Sequence, residues 1–389
     1  MKNILYLSYD GMTDPLGQSQ VLPYIINLTK ENYNFHLISF EKPDRYFKYK
    51  SLIEKICLDN NIKWHPIKYT KNPLFISTIF NLFKMKKLSK ELKIKHGFSL
   101  LHCRSYIPSL IGLSFKRLDG IPFLFDMRGF WADERVEGGL WNLKNPIYKL
   151  VYKYFKNKEK QFLIESNHII SLTHNGKKNI IKIPGFSKLE KKISVIPCCT
   201  DLSLFKPVKS DSSIFTIGYL GSLGTWYLIK EMLVFFKNFK EKIPNSKLHF
   251  LTKDDPDIIF TQCIGLGIER KNILIEECDR EDIPFKTRNW NLSLCFIKPS
   301  YSKIFSSPTK QGELMAMGIP IICNRGVGDV DFIVEKYNSG FILNDINKVN
   351  FDTIIDANFK KQTLNEGANQ FFSLNKGVIS YKYIYEKIC

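Results

Sequence analysis

Residues 306–322 read SSPTKQGELMAMGIPII, and this stretch predicts a polar loop, a short helix and a buried strand. Pro308 suits the first turn of a helix, and Gly318 suits its end. A helix N-terminus has free N–H groups that bind anions, and Lys310 adds a full positive charge there. Glu313 follows one turn later, where a carboxylate can accept hydrogen bonds from a vicinal diol such as a ribose. The stretch therefore predicts a pocket for a sugar nucleotide, the alternative being an ordinary helix cap before a buried strand.

The same stretch resembles the donor-binding segment of retaining glycosyltransferases of family 4. Those enzymes carry Glu-x7-Glu followed by Ala-Met-Ala-x-Gly-x-Pro-Val-Ile, and residues 313–322 match the second half. The first Glu of the pattern would fall at Phe305, so the chain departs from the motif where a Glu usually reaches the sugar hydroxyls. The resemblance implies donor contacts from Ser307, Thr309, Lys310 and Glu313, the last two also being candidate catalytic residues.

A second matching segment, residues 196–207, keeps the family's spacing of Pro197, Asp201, Phe205 and Pro207. The similarities run from residue 4 to about residue 340. They imply the GT-B fold of that family, an α/β architecture in which two doubly wound, Rossmann-like domains face each other across a cleft. By resemblance, the first domain binds the acceptor and the second binds the nucleotide-sugar donor.

The order of apolar runs supports this fold class independently. Strand-like and helix-like segments alternate in two series, which implies parallel sheets covered by helices on both faces. At 389 residues the chain is long enough for two such domains. We expect the first domain over residues 1–190 and the second over 191–372, with a C-terminal helix at 373–389 that packs back onto the first.

The element boundaries follow from the same pattern. Predicted strands are Ile4–Ser8, His36–Phe40, Leu100–Cys103, Phe123–Phe125, His168–Leu172, Ile193–Ile196, Phe215–Leu220, Lys247–Leu251, Asn272–Ile275, Leu292–Phe296 and Ile319–Cys323. Predicted helices include Ser19–Lys30, Tyr46–Asp59, Leu74–Leu92, Tyr148–Ser166, Tyr227–Lys240 and Ser373–Lys387. The helix over Leu74–Leu92 is amphipathic, with Ile76, Ile79, Phe80, Phe83 and Leu88 on one stripe.

Loops after the strands of the first domain carry the acceptor-side candidates, because ligands bind beyond the carboxyl ends of parallel strands. The loop after the first strand contains Gly17 and Gln18, and it resembles the glycine-rich loop of family 4. The loop after Leu100–Cys103 supplies Arg104, either for a phosphate or as a plain surface residue. After Phe123–Phe125 come the catalytic candidates Asp126 and Arg128 and the sugar-stacking candidate Trp131, the alternative being a salt-bridged structural loop. By the resemblance, Gly17 faces the donor phosphates and Gln18 the acceptor, while the chemistry of Arg104, Arg128 and Trp131 makes them candidate acceptor contacts.

The loop that opens the second domain, residues 218–227, contains three glycines but not the Gly-x-Gly-x-x-Gly of dinucleotide folds. Family 4 has an Arg and a Lys here that hold the diphosphate, whereas this chain has Ser222 and Tyr227. Lys310 and backbone N–H groups would then carry more of that charge. The resemblance implies further donor contacts from Gly221, Ser222, Thr225 and Trp226.

The charge of the chain is strongly basic, with 57 Lys and Arg against 38 Asp and Glu and a formal net charge of +19. Such a field attracts polyanions, including anionic lipid and phosphorylated substrates. No run of 18 uncharged apolar residues appears, no signal-peptide cleavage site follows the first residues, and nine scattered cysteines suggest reduced thiols. We expect a cytoplasmic protein that is peripheral on the inner membrane face, the alternative being that the lysines only solvate the surface.

Together these features predict a retaining glycosyltransferase of the hexosyltransferase type, which moves a sugar from a nucleotide diphosphate to an acceptor. By resemblance the acceptor is a lipid-diphosphate-linked saccharide in bacterial surface polysaccharide (O-antigen, lipopolysaccharide or capsule) assembly. No cofactor and no metal are expected, because the acidic run at residues 254–257 is expected on an exposed turn and not in an Asp-x-Asp ligand site. The alternatives are a sugar-nucleotide 2-epimerase of the same fold and a catalytically silent basic binding protein. A nucleic-acid partner is not expected, since charge alone suggests it.

Overall fold

We describe the protein from a computed structural model, in which residues 1–73 and 76–389 are described. The chain forms two compact units. Unit 1 comprises Met1–Ile196 and Leu374–Cys389, and unit 2 comprises Pro197–Ser373. Each unit is built on one parallel sheet with flanking helices, so the predicted α/β fold class is confirmed.

The sheet of unit 1 contains seven strands, all in parallel pairs. They are β1 (Lys2–Ser8), β2 (Tyr33–Glu41), β3 (Lys63–Lys68), β4 (Leu100–Arg104), β5 (Phe123–Asp126), β6 (His168–Ser171) and β7 (Ile193–Val195). The helices before β7 are α1 (Pro15–Gln20), α2 (Leu22–Thr29), α3 (Pro43–Asp59), α4 (Ile76–His96), α5 (Tyr106–Asp119), α6 (Trp131–Glu137), α7 (Pro146–Glu165), α8 (His174–Ile181) and the 3-10 helix Ser187–Lys192. The strand order is β3-β2-β1-β4-β5-β6-β7, so it reverses between β1 and β4.

The sheet of unit 2 contains six parallel strands. They are β8 (Thr216–Leu220), β9 (Lys247–Leu251), β10 (Ile273–Glu276), β11 (Trp290–Cys295), β12 (Ile321–Asn324) and β13 (Gly340–Leu343). The helices are α9 (Ile229–Lys242), α10 (Asp257–Leu266), α11 (Ile283–Lys286), α12 (Thr309–Ala316), α13 (Val330–Tyr337), α14 (Phe351–Ile355) and α15 (Lys361–Phe371), with 3-10 helices at Arg270–Asn272, Arg280–Asp282 and Ser302–Phe305. The order β10-β9-β8-β11-β12-β13 reverses between β8 and β11. A reversal of this kind leaves a crevice at the carboxyl ends of the two strands, where ligands bind in such sheets.

The last helix, α16 (Leu374–Ile388), belongs to unit 1 although it follows unit 2 in the chain. It packs against α2 and places the Tyr385 hydroxyl 2.6 Å from Nδ1 of His102 on β4. Tyr381 and Tyr385 are both almost fully buried. The two ends of unit 1 are therefore joined by aromatic packing and a buried hydrogen bond.

The sequence pattern did not predict two edge strands, β3 and β13. β3 is polar and only partly buried, and it contains Pro66, which an edge strand tolerates. β13 is the edge strand of unit 2, and it is short and begins with Gly340. Central strands that are covered on both faces read as apolar runs, whereas edge strands do not. The eleven predicted strands overlap observed ones.

One helical prediction needs correction, one helix was not predicted, and one prediction lies partly outside the described residues. The predicted helix Ser19–Lys30 is two helices, α1 and α2, which meet at Val21 with φ −128° and ψ −64°. Helix α5 went unpredicted because it contains Pro108 and Gly112; a Cβ at Gly112 would lie 2.6 Å from Sγ of Cys103. The predicted helix Leu74–Leu92 corresponds to α4, and its first two positions lie outside the described residues.

Candidate functional site

The end of β8 and the start of α12 meet in unit 2, where two sequence-predicted donor residues come together. Gly221 follows β8 with φ +125°, and a Cβ there would lie 3.1 Å from Nζ of Lys310. Lys310 is the second residue of α12 and is only 6% exposed. A glycine is therefore required at position 221, both for its backbone conformation and for the close approach of the lysine.

The ammonium group of Lys310 is buried among aromatic rings. Its Nζ lies 4.2 Å from the ring centre of Tyr219 and 4.0 Å from that of Tyr227. Among the described residues it has no hydrogen-bond partner. Burial lowers the pKa of Lys310 to about 8, although Cys295 and Glu313 act in the opposite direction. A buried ammonium without a hydrogen-bonded anion is costly, so the position fits a site that an anionic ligand completes.

Glu313 lies one turn after Lys310 and is also buried, at 4% exposure. Its Oε1 lies 2.6 Å from Nη1 of Arg280, in the 3-10 helix after β10. The guanidinium of Arg280 also covers the ring of Phe205, at 4.7 Å from the ring centre. Arg280 went unnoticed in the sequence, where the only signal is its position in a loop after a strand. Unit 2 thus has a second cation near the predicted diphosphate site.

The loop after β8 holds the other predicted donor residues in different settings. Ser222 and Thr225 are exposed, and Trp226 is half-buried. The Ser222 carbonyl accepts a hydrogen bond from the Tyr219 hydroxyl at 2.5 Å. Nζ of Lys303 lies 3.7 Å from the ring centre of Trp226. The loop therefore stands beside Lys310, and the donor roles of these residues stay predictions.

The segment before α12 is fixed by its own contacts. The Ser307 hydroxyl accepts a hydrogen bond from the backbone N–H of Cys198 at 3.1 Å. Thr309 is the half-buried first residue of α12. Phe305 is only 1% exposed, so the position of the motif's first Glu supplies an interior aromatic side chain.

In unit 1 the carboxyl ends of β4 and β5 bring three predicted residues together. Oδ1 of Asp126 lies 3.6 Å from Nη1 of Arg128, and Oδ2 lies 3.7 Å from Nη1 of Arg104. Nε2 of His102 lies 3.5 Å from the same Oδ2. Burial raises the pKa of Asp126, but Arg128, His102 and Arg104 outweigh it and hold that pKa at about 2. The carboxylate is therefore ionised at neutral pH.

The two arginines are held differently. Arg128 has a left-handed backbone, with φ +52°, and its side chain is 12% exposed. Arg104 is 3% exposed, and its Nε donates to Asp10 at 3.3 Å. Asp10 was not singled out in the sequence, although it stands in the loop after β1. The left-handed backbone of Arg128 is uncommon for a residue other than glycine. Residues of this kind cluster at sites where a side chain must be directed at a ligand.

The loop after β1 is anchored by a carboxylate that sequence reasoning missed. Glu41, at the end of β2, is 2% exposed and accepts hydrogen bonds from the backbone N–H groups of Met12 and Thr13, at 2.8 and 3.0 Å. It also accepts from the hydroxyls of Thr13 and Ser39, at 2.5 and 2.6 Å. Four donors therefore hold one buried carboxylate and fix the loop.

Gly17 and Gln18 follow in the same loop and α1. A Cβ at Gly17 would lie 2.2 Å from the carbonyl oxygen of Gly11, so only glycine fits there. The amide of Gln18 donates to the Thr13 carbonyl at 3.2 Å. Gly17 thus supports the fold of the loop, and the predicted ligand contacts of both residues stay predictions.

Trp131, the predicted sugar-stacking residue, lies in an aromatic cluster at the start of α6. Its ring centre is 4.8 Å from that of Phe155, 5.3 Å from that of Trp141 and 5.7 Å from that of Tyr106. The guanidinium of Arg135 lies 5.0 Å from the same ring. The side chain is half-buried by these neighbours, which leaves only part of it for a ligand.

Two features are absent from residues 1–73 and 76–389. No cluster of three or more His, Cys, Asp or Glu side chains in these ranges could hold a metal ion. Within the same ranges, no helix combines the length and the apolar character needed to cross a bilayer.

Comparison with known proteins gives a family match over part of the chain. Residues 21–204 match the model of Glycosyltransferase Family 4. No protein with a curated description matches the sequence.

The fold is similar to that of solved structures over nearly the whole chain. Sucrose-phosphate synthase from Thermosynechococcus elongatus has a TM-score of 0.72 at 15% identity, covering 100% of this chain and 99% of that one. HepE from Anabaena, in complex with UDP and glucose, has a TM-score of 0.69 at 14% identity, covering 99% of this chain and 100% of its own. A protein from Listeria monocytogenes, described as a UDP-N-acetylglucosamine 2-epimerase, has a TM-score of 0.59 at 12% identity, covering 99% of this chain and 97% of its own.

At these identities the solved structures establish the fold alone, while the family model adds the sequence relationship. Both agree with the resemblance seen in residues 196–207 and 313–322. The chain thus has a GT-B fold, and the family model over residues 21–204 confirms its resemblance to glycosyltransferase family 4.

Proposed function

We propose that the protein transfers a sugar from a nucleotide diphosphate sugar to an acceptor hydroxyl, with retention of configuration at the anomeric carbon. The observation that carries this proposal is Lys310, a buried cation beside the end of β8 with no hydrogen-bond partner among the described residues. The family match and the GT-B fold support it.

The donor half of the reaction is assigned to unit 2. As the bond between the sugar and the diphosphate breaks, negative charge develops on the leaving phosphate. Lys310 and the free N–H groups at the start of α12 would stabilise that charge in a site with little water. Glu313, held by Arg280, would accept hydrogen bonds from the ribose hydroxyls. The aromatic rings of Tyr219 and Tyr227 keep the ammonium desolvated until the phosphate arrives.

The acceptor half is assigned to unit 1. Arg104 and Arg128 would bind hydroxyl or phosphate oxygens of the acceptor, while the ionised Asp126 keeps both guanidinium groups in place. Gln18 and Trp131 are further candidates for contacts to the acceptor. We propose a lipid-diphosphate-linked saccharide of bacterial surface polysaccharide assembly as this acceptor, in line with the net charge of +19 and a site on the inner membrane face.

A thermal-shift panel of UDP, GDP, TDP, CMP and their sugars, each with and without Mg²⁺, tests the donor assignment. A ligand present at 100 times its dissociation constant adds about 2.7 kcal/mol to the free energy of unfolding. We expect stabilisation by one family of nucleoside diphosphates, independent of Mg²⁺. If no nucleotide shifts the melting temperature, the protein is instead a basic binding protein without transferase activity.

The epimerase is the second candidate, because the Listeria protein shares the fold. The two reactions differ in their need for an acceptor. A transferase releases the nucleoside diphosphate in proportion to the sugar transferred, whereas an epimerase inverts the sugar of the nucleotide without any acceptor. Incubating the stabilising nucleotide sugar alone, followed by NMR of the sugar, separates them.

A further inference from the structure

Helix α4 carries its apolar side chains on the outside. The residues that it buries follow one another at spacings of three or four, and they are mostly polar: Ser77, Asn81, Met85, Ser89 and Leu92. The opposite face exposes Ile76, Ile79, Phe80 and Phe83, with exposed fractions of 64%, 68%, 49% and 65%. An ordinary surface helix of a globular protein has the reverse arrangement.

Lysines surround and extend this outward stripe. The helix contains six lysines and a single acidic residue, Glu91. Lys84 borders the stripe, with its Nζ 4.3 Å from the ring centre of Phe80. Lys87 and Lys90 continue the stripe toward the C-terminal end of the helix and are exposed. Helices that lie in a membrane interface combine exposed aromatic and aliphatic side chains with lysines whose ammonium groups reach the lipid headgroups.

We propose that this face of α4 docks the protein on an anionic lipid bilayer, with Ile79, Phe80 and Phe83 inserted between headgroups and acyl chains. Lys84, Lys87 and Lys90 then contact the lipid phosphates. The proposal gives the membrane contact of the proposed function a defined surface. It rests on the exposure and charge of α4, however, and is independent of the transfer chemistry.

A second copy of this chain is the main rival occupant of the stripe. In a two-fold dimer the same face would meet itself, so the lysines of one helix would approach those of the other. The repulsion between these lysines disfavours self-association. On an anionic membrane, the same lysines are attracted to the lipid phosphates. Charge complementarity therefore selects the bilayer.

Co-flotation of the full chain with lipid vesicles, in the absence of any nucleotide, tests the proposal. Vesicles of 70% phosphatidylcholine and 30% phosphatidylglycerol should bind the protein, and pure phosphatidylcholine should bind it much more weakly. The triple variant I79S/F80S/F83S and the triple variant K84Q/K87Q/K90Q should each weaken binding to the anionic vesicles by about tenfold or more. Because all six side chains lie on the surface, we expect unchanged circular dichroism and melting curves.

The control is Ile264→Ser on α10 of unit 2, which removes an apolar side chain that is 82% exposed. It should leave vesicle binding unchanged.

Absence of binding to anionic vesicles would overturn the proposal. Binding that falls with the lysine changes but not with the apolar changes would show adsorption by charge alone and would also overturn it. A dimer that dissociates in the serine variant, without effect on vesicle binding, would assign the stripe to a second copy. Failure of nucleotide binding would leave the vesicle result standing.

Discussion

Both units place buried charge beside the carboxyl ends of parallel strands, but they balance it differently. In unit 1, Asp126 lies within 4 Å of two guanidinium groups, so the buried charges compensate one another. In unit 2, Lys310 is enclosed by two phenol rings and makes no hydrogen bond among the described residues. Charges that are already paired hold a fold together, whereas a buried charge without such a partner disfavours the empty site and favours a ligand of opposite sign. The comparison predicts that substitutions in the two places will have opposite effects on stability.

Replacing Lys310 with Met should have the largest effect on activity. Methionine keeps the apolar stem but removes the charge, and loss of one group that stabilises a developing anion lowers kcat by about 10²–10³-fold. The variant should nevertheless be at least as stable as the parent, because it no longer buries an ammonium. Steady-state kinetics and thermal melting check the two halves, and Lys237→Met on an exposed position of α9 is the matched control. Full activity in Lys310→Met would remove this residue from the diphosphate site.

Replacing Asp126 with Asn should act on stability in the opposite direction. The change removes the buried ion pairs of Asp126 with Arg104 and Arg128, which costs about 3–5 kcal/mol, although Arg104 keeps its bond to Asp10. Denaturant unfolding measures the loss, and Asp119→Asn on a partly exposed pair with Lys93 should cost less than about 1 kcal/mol. The parent protein should lose the same stabilisation by Asp126 when the pH is lowered. Since the pKa of Asp126 is held below its usual value, at about 2, the contribution is present at neutral pH and disappears as the pH falls through about 2. A fully stable Asn variant would show that the cluster does not hold unit 1 together.

The pH dependence of nucleotide-sugar affinity should show whether Lys310 meets the diphosphate. Burial gives the lysine a pKa of about 8, so below that pH it is already charged and affinity should be constant. Above it, binding must first protonate the amine, and affinity should be about tenfold lower at pH 9 than at pH 7. Burial raises the pKa of the neighbouring Tyr219 and Cys295, so these groups do not titrate in this range. Isothermal titration at several pH values measures the profile, which should become flat in Lys310→Arg. A parent profile that is flat to pH 9 would contradict a direct contact.

The smallest effect is expected from Glu313→Ala. The ribose hydrogen bonds that it removes are worth about 1 kcal/mol, or about fivefold in nucleotide affinity. The effect is limited because Arg280 already shares this carboxylate in the ligand-free protein. Titration with the stabilising nucleoside diphosphate measures it, and Glu335→Ala, on a carboxylate that is 58% exposed, provides the control. Equal affinity in both variants would exclude the ribose role.

The sequence was sufficient where the signal is local. Central strands appear as apolar runs, and the segment at 306–322 indicates its loop, helix and strand because caps and glycines act on their neighbours. Lys310 and Glu313 could be singled out for the same reason.

The contacts between distant segments were not accessible in this way. Arg280 and Glu313 come from separate strand–helix units, and nothing in either segment specifies the pairing. The enclosure of Lys310 by Tyr219 and Tyr227 likewise depends on how α12 packs against the β8 loop. For α4 the period of the apolar residues was visible, but the face that packs inward was not, because only contacts with the sheet decide it.

The return of the chain to unit 1 through α16 affects how the protein is made. His102 meets its partner Tyr385 only after all of unit 2 has been translated. At about 5–20 residues per second, the interval between the synthesis of β7 and that of α16 is about 10–40 s. During that time the surface of unit 1 that receives Tyr381 and Tyr385 has no native cover. Unit 2 is continuous in the chain, so all of its residues are synthesised before the last helix of unit 1.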